Sequence, residues 1–173
     1  MGNELSIPNV TVEGTVDFVR MNDGKFSTTN LFTESLYGCY GLIASSKHGE
    51  TKSGIITHYD TTRQVMNVDR VKKLCDEHHE FAQGDIKGKL FIPERLIESG
   101  NELLESICRA IGDNARIKPV MYPCDRYDNE TEILLARLDP RLSRLLLKVQ
   151  EKEYHFIPRI NEGYNPDFQG FFT

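Results

Sequence analysis

Apolar and polar residues alternate near the start of the chain: Val10, Val12, Val16 and Phe18 share one parity, Arg20 continues the row, and Gly14 interrupts it as a candidate bulge. This predicts a strand over 10–21. Asn22-Asp23-Gly24 is a turn signal. Three short segments of strand character follow, at 30–36, 40–45 and 54–59, with a polar loop over 46–54 between the last two. After Asp60 the period lengthens. Val68, Val71, Leu74, Cys75, His78 and Ala82 fall at helical spacing, with Asn67 as a candidate cap. Leu90-Phe91-Ile92 reads as a short strand ended by Pro93. Ser99-Gly100-Asn101-Glu102 then fits a capping box, Leu103, Leu104, Ile107, Cys108 and Ile111 form one apolar helix face, and Gly112 ends it. Residues 116–122 read as a strand and 124–130 as a polar connection. The apolar runs 133–138 and 142–149, parted by Asp139-Pro140, read as strands, although the second also suits a helix. A last short strand covers 154–157, and the tail from Asn161 is expected to pack. Strands come mostly first, then two helices among strands. The expected class is α+β, with mixed or mostly antiparallel sheet layers flanked by two helices.

With 173 residues the chain suits a single domain over 1–173, with 1–9 and 161–173 as its candidate periphery. Its 39% apolar and 27% charged residues are globular values. No apolar run approaches the ~20 residues of a membrane span, and the first residues lack the basic start and apolar stretch of a signal peptide. The Gly2-to-Ser6 match to a myristoylation pattern is read as chance. The net charge is −5 and no basic block occurs, so no nucleic-acid partner is expected. Cysteines at 39, 75, 108 and 124 show no C-x-x-C spacing. They read as four free thiols in a reducing compartment, either the cytoplasm or a cytosol into which the protein is delivered as an effector.

Cys39 sits between Gly38 and Gly41 where a turn meets a strand. Glycine permits a sharp turn and a close substrate approach, and the amides of such a turn can face a developing oxyanion. His58 lies at the exit of the next strand, so a hairpin brings thiol and imidazole within reach. That pair is the minimum for thiolate catalysis, in which His takes the thiol proton and later protonates the leaving group. The bland alternative is a Cys and a His that are only buried core residues.

The order Thr33-x5-Cys39, strand, loop, Gly54-x3-His58 resembles the chemoreceptor glutamine deamidases, the CheD family. Cytotoxic necrotizing factor toxins and protein N-terminal asparagine amidohydrolase are similar in their Cys–His core. The resemblance spans about residues 30–95, including the helix after His58 and the strand Leu90-Phe91-Ile92. It departs at Gly38, where the family usually has Ser, and at Tyr59-Asp60-Thr61-Thr62 after His58. It implies a CheD/necrotizing-factor-like fold and a cysteine-dependent deamidase. Such an enzyme hydrolyses a Gln or Asn side-chain carboxamide of a protein substrate through a thioester, with no cofactor and no metal. Cys39, His58 and Thr33 are the implied catalytic residues, and Gly38, Tyr40, Tyr59 and Asp60 the residues expected against the substrate. His58 needs an orienting group. Thr33, by resemblance, is favoured over Asp60, which is near in sequence. The alternatives are a catalytically idle protein-binding domain of this fold, or a related cysteine transglutaminase or protease. Oligomeric state is open. Cys75, His78, His79 and Glu80 are read as the polar flank of a helix rather than a metal site, His48 as exposed, and His155 is undecided.

Overall fold

The computed structural model describes residues 16–33, 38–122, 135–139, 144–149 and 152–156. The central unit is a hairpin of two ten-residue strands, β4 (Cys39–His48) and β5 (Thr51–Asp60), paired from Cys39↔Asp60 to His48↔Thr51. The polar segment expected to be a loop is therefore mostly strand. Only Gly49 and Glu50 turn, and Gly49 adopts φ 60°, a left-handed conformation that glycine reaches at no steric cost. β2 (Asp23–Ser27) flanks β5, and on the other side β6 (Asp85–Pro93) and β7 (Ala115–Tyr122) complete the order β2-β5-β4-β6-β7. The β6–β7 pair is parallel and the others are antiparallel, so the sheet is mixed. A second sheet runs β1 (Val16–Phe18), β3 (Asn30–Thr33), β8 (Leu135–Asp139), β9 (Arg144–Val149), β10 (Lys152–Phe156).

Strand alternation gives the first sheet two different faces. Tyr40, Leu42, Ala44, Ile55, Leu90, Ile92 and Ile117 form a buried core with Val71, Leu74, Leu103 and Ile107 of the helices α1 (Gln64–Glu77) and α3 (Ile97–Ile111). On the other face lie Cys39, Ile43, Ile56, His58 and Phe91, all buried, with β3 of the second sheet against β5. The class is α+β. No helix among the described residues is long and apolar enough to cross a membrane.

Among the described residues there are three α-helices where two were expected. The periodic run breaks at His78 (φ −127°, ψ 75°), and α2 (His79–Gln83) follows. The His78 ring stacks on Phe26 at 3.7 Å, and the break turns Phe81 fully into the core, edge-on to Phe26. Asn67 is not a cap. It lies inside α1, fully buried, where its Oδ1 accepts the Thr57 hydroxyl at 2.8 Å. Nor do Ser99 and Glu102 form a capping box, because α3 already begins at Ile97 without a side-chain cap. Gly112 ends α3 at φ 124°, as the spacing predicts. The turn at Asn22 leads directly into β2, a strand the apolar pattern hid, because Asp23, Gly24, Lys25 and Ser27 carry little apolar signal. Residues 144–149 are strand rather than helix. The expectations for 10–15, 124–130 and both termini lie outside the described residues.

Candidate active site

Gly38 takes φ 70° immediately before Cys39, so the chain makes its sharp entry into β4 at a residue without a Cβ. In the hairpin register Cys39 pairs with Asp60, and Gly41 pairs with His58. Positions 39, 41, 58 and 60 therefore share one face, with Cys39 and His58 as a diagonal cross-strand pair, a spacing that long side chains bridge. Tyr40 and Tyr59 pair with each other on the opposite face. They are 0% and 2% exposed and belong to the helix side of the sheet, where their hydroxyls meet Gln64 at 3.5 Å and Arg70 at 3.4 Å. The expectation that they line a substrate site beside Cys39 is corrected by this parity.

His58 is held from the second sheet. The Thr33 hydroxyl donates to the Val19 carbonyl at 2.8 Å, and its oxygen lies 2.8 Å from His58 Nδ1. A hydroxyl has one proton. With that proton on Val19, Nδ1–H must be the donor to Thr33, which leaves the lone pair on Nε2. Nε2 is buried and has no hydrogen-bond partner among the described residues. Burial also lowers the His58 pKa from 6.5 to about 4, so the ring is neutral at physiological pH. Of the two candidate orienting groups, Thr33 is the one at Nδ1. Asp60 instead accepts the backbone N–H and hydroxyl of Thr62, both at 2.8 Å.

The thiol does not hydrogen-bond to this imidazole. Cys39 Sγ–H donates to Met21 Sδ at 3.8 Å. Cys39 is 5% exposed, whereas Met21 is 56% exposed and sits at the surface beside it. The Met21 turn is fastened to β5 through its neighbour. Asn22 donates its backbone N–H to the His58 carbonyl at 2.5 Å, and its Oδ1 accepts the Asp60 N–H at 3.0 Å. Asn22 pays for this double contact with a left-handed φ of 63°, which asparagine tolerates better than most residues.

Val19, Met21 and Asn22 were not expected at the site. The turn signal marked Asn22 as a turn residue but carried no hint of its partner on β5, and nothing about an isolated Met predicts a thiol contact. Among the described residues no three His, Cys, Asp or Glu side chains converge as a metal site. Cys75 is buried, with its thiol pushed up to about 11 by burial, Cys108 is half-buried rather than buried, and His48 is exposed at the end of β4. His155 lies on β10. No family model matches the chain, and no curated protein matches it.

Proposed function

We propose that the chain is a cysteine-dependent amidohydrolase acting on Gln or Asn side chains of a protein substrate, with a CheD-like arrangement of its site. The observation that supports it most is the Val19–Thr33–His58 chain of hydrogen bonds. A merely structural buried histidine gains most from having both ring nitrogens satisfied. Here one nitrogen is tied down and the other, without a hydrogen-bond partner among the described residues, is left as a base on the same sheet face as a thiol.

The reaction begins when a carboxamide enters beside Cys39 and Met21 withdraws. His58 Nε2 takes the thiol proton as the sulfur forms a bond to the carboxamide carbon. The backbone amides near Gly38 stabilise the oxyanion. Collapse breaks the C–N bond, and the proton on Nε2 leaves with ammonia. Water then attacks the thioester and gives a proton to Nε2. The C–S bond breaks, the thiol is reprotonated from Nε2, and a Glu or Asp side chain remains. Thr33 keeps Nδ1 protonated and the ring in place throughout. Because His58 is neutral at rest, proton transfer accompanies attack and no preformed ion pair is required. The chemistry needs a reduced thiol, which fits action in a cytosol.

The burial of Cys39 and its bond to Met21 favour the second reading, an idle binding domain of the same design. Ammonia release from a protein substrate, with site-resolved mass spectrometry of the acceptor, separates the two. The parent should convert carboxamides to acids. Cys39→Ala and His58→Ala should each abolish conversion, and the double variant should lose no more, since both groups act in one step. Thr33→Ala should retain part of the rate, costing less than the ~100-fold minimum expected for loss of a general base. No conversion by the parent, with partners bound equally by parent and Cys39→Ala, establishes the idle domain.

A further inference from the structure

The connection between β1 and β2, residues 19–22, touches both halves of the site. At its upstream end Val19 is fully buried, and its carbonyl accepts the hydroxyl of Thr33, the residue at His58 Nδ1. At its downstream end the chain enters β2, where Asp23 stands opposite His58 in the ladder and meets Arg70 of α1 at 3.6 Å. Between these two anchors Arg20 and Met21 are exposed, yet Met21 Sδ accepts the thiol proton of the buried Cys39.

Asn22 holds that exposed stretch down. Its backbone N–H to the His58 carbonyl continues the β2–β5 ladder by one bond. Its side chain adds what a continuing strand would supply from its backbone: Oδ1 accepts the Asp60 N–H at 3.0 Å, level with Cys39 in the hairpin register. Asn22 makes both contacts at φ 63°, a left-handed conformation that persists only while the surroundings hold it. The contact from Met21 to the thiol adds little, since a thioether is a weak acceptor and a thiol a weak donor. The position of Met21 over Cys39 therefore depends chiefly on the Asn22 carboxamide.

We propose that the turn over residues 20–22 is a gate across the thiol, latched by the Asn22 carboxamide on the Asp60 N–H. The proposal rests on the hydrolase reading for what the gate controls, while the latch itself stands on the geometry. In the closed state the thiol proton is directed to Met21. When Oδ1 lets go, Asn22 relaxes from its left-handed φ and Met21 leaves the sulfur. The movement ends at Val19 on one side and Asp23 on the other, because each has its own partner. Thr33 and His58 thus keep their places while the thiol is uncovered. Cover and base are attached to different residues of one short connection, so the first opens without disturbing the second.

The test reads the thiol without any substrate. Asn22→Gly keeps the left-handed turn and the backbone N–H but removes the Oδ1 acceptor. Iodoacetamide should then label Cys39 about fivefold faster or more near neutral pH, with Cys75 unchanged as the internal control. Hydrogen exchange at the Asp60 amide should quicken, while that of Ile56 in the middle of β5 stays as in the parent. Asn22→Asp preserves an acceptor of the same reach and should label at the parental rate. The double variant Met21→Ala, Asn22→Gly should label no faster than the faster single variant, because both changes remove the same cover. Unchanged Cys39 labelling in Asn22→Gly overturns the proposal. So does equal acceleration at Cys75, which would mean general loosening, or fast labelling of Asn22→Asp, or multiplied factors in the double variant. None of these readings needs turnover, so a failure of the latch and a failure of the hydrolase reading are told apart.

Discussion

Met21 is the residue that meets the thiol at the surface. Its thioether accepts the Cys39 Sγ–H at 3.8 Å while most of its own surface faces solvent. Alkylation requires an approachable thiolate. Met21→Ala should therefore raise the rate at which iodoacetamide labels Cys39 near neutral pH, with mass spectrometry reporting each thiol. Cys75 should stay slow in both proteins, because burial raises its pKa to about 11. Labelling of Cys39 unchanged by Met21→Ala would show that the thioether shields nothing. Resemblance placed Thr33, Cys39 and His58 as a set, and the structure puts Thr33 at His58 Nδ1. Pairing of thiol with imidazole was also expected, yet the thiol turns to Met21. Which of two nearby acceptors a buried thiol selects depends on sub-ångström packing that no residue spacing encodes.

Helix α3 rests on β6 through a glycine. A Cβ built on Gly100 would come 2.3 Å from Ile92 Cγ2 and 2.7 Å from its Cδ1. In an exposed helix interior, Gly→Ala gains about 1 kcal/mol. Here the sign should reverse, because the methyl must displace a fully buried Ile92, at a cost of about 1–3 kcal/mol. Thermal unfolding of Gly100→Ala should show a lower Tm than the parent, and a higher one would place α3 further from β6. The α3 stripe was legible because Leu103, Ile107 and Ile111 repeat at helical spacing and all three are buried. Its start was not. The Ser99 box is a local signal, but the helix begins two residues earlier, directly after the 3-10 turn Glu94–Leu96. In β2 the failure has another origin: its ladder to β5 supplies the backbone bonds, so it needs few apolar residues to be a strand.

At the scale of the whole molecule, His58 ties folding to pH. Its pKa is about 4 in the folded protein against 6.5 for the ordinary group, so the unfolded chain binds the extra proton between those values. Stability therefore falls on acidification from about pH 6.5 to about pH 4, by up to ~1.4 kcal/mol per pH unit from this residue. Urea unfolding across that window should show the slope, and His58→Gln should flatten it. An equal slope in both proteins would mean that the protonated ring is accommodated without cost. Alternation and period were enough to announce an α+β chain, the β4–β5 hairpin, the α3 core face and the end of α3 at Gly112, because these depend on neighbours within a few residues. Tertiary structure alone decided which way the thiol points, that Thr33 reaches His58 from another sheet, and that Tyr40 and Tyr59 belong to the helix core. It also decided that lysines scattered along five strands share one face. Each of these follows from strand register and sheet packing, which join residues far apart in the chain through many weak contacts. A linear pattern carries parity along each strand but not which strand lies beside it.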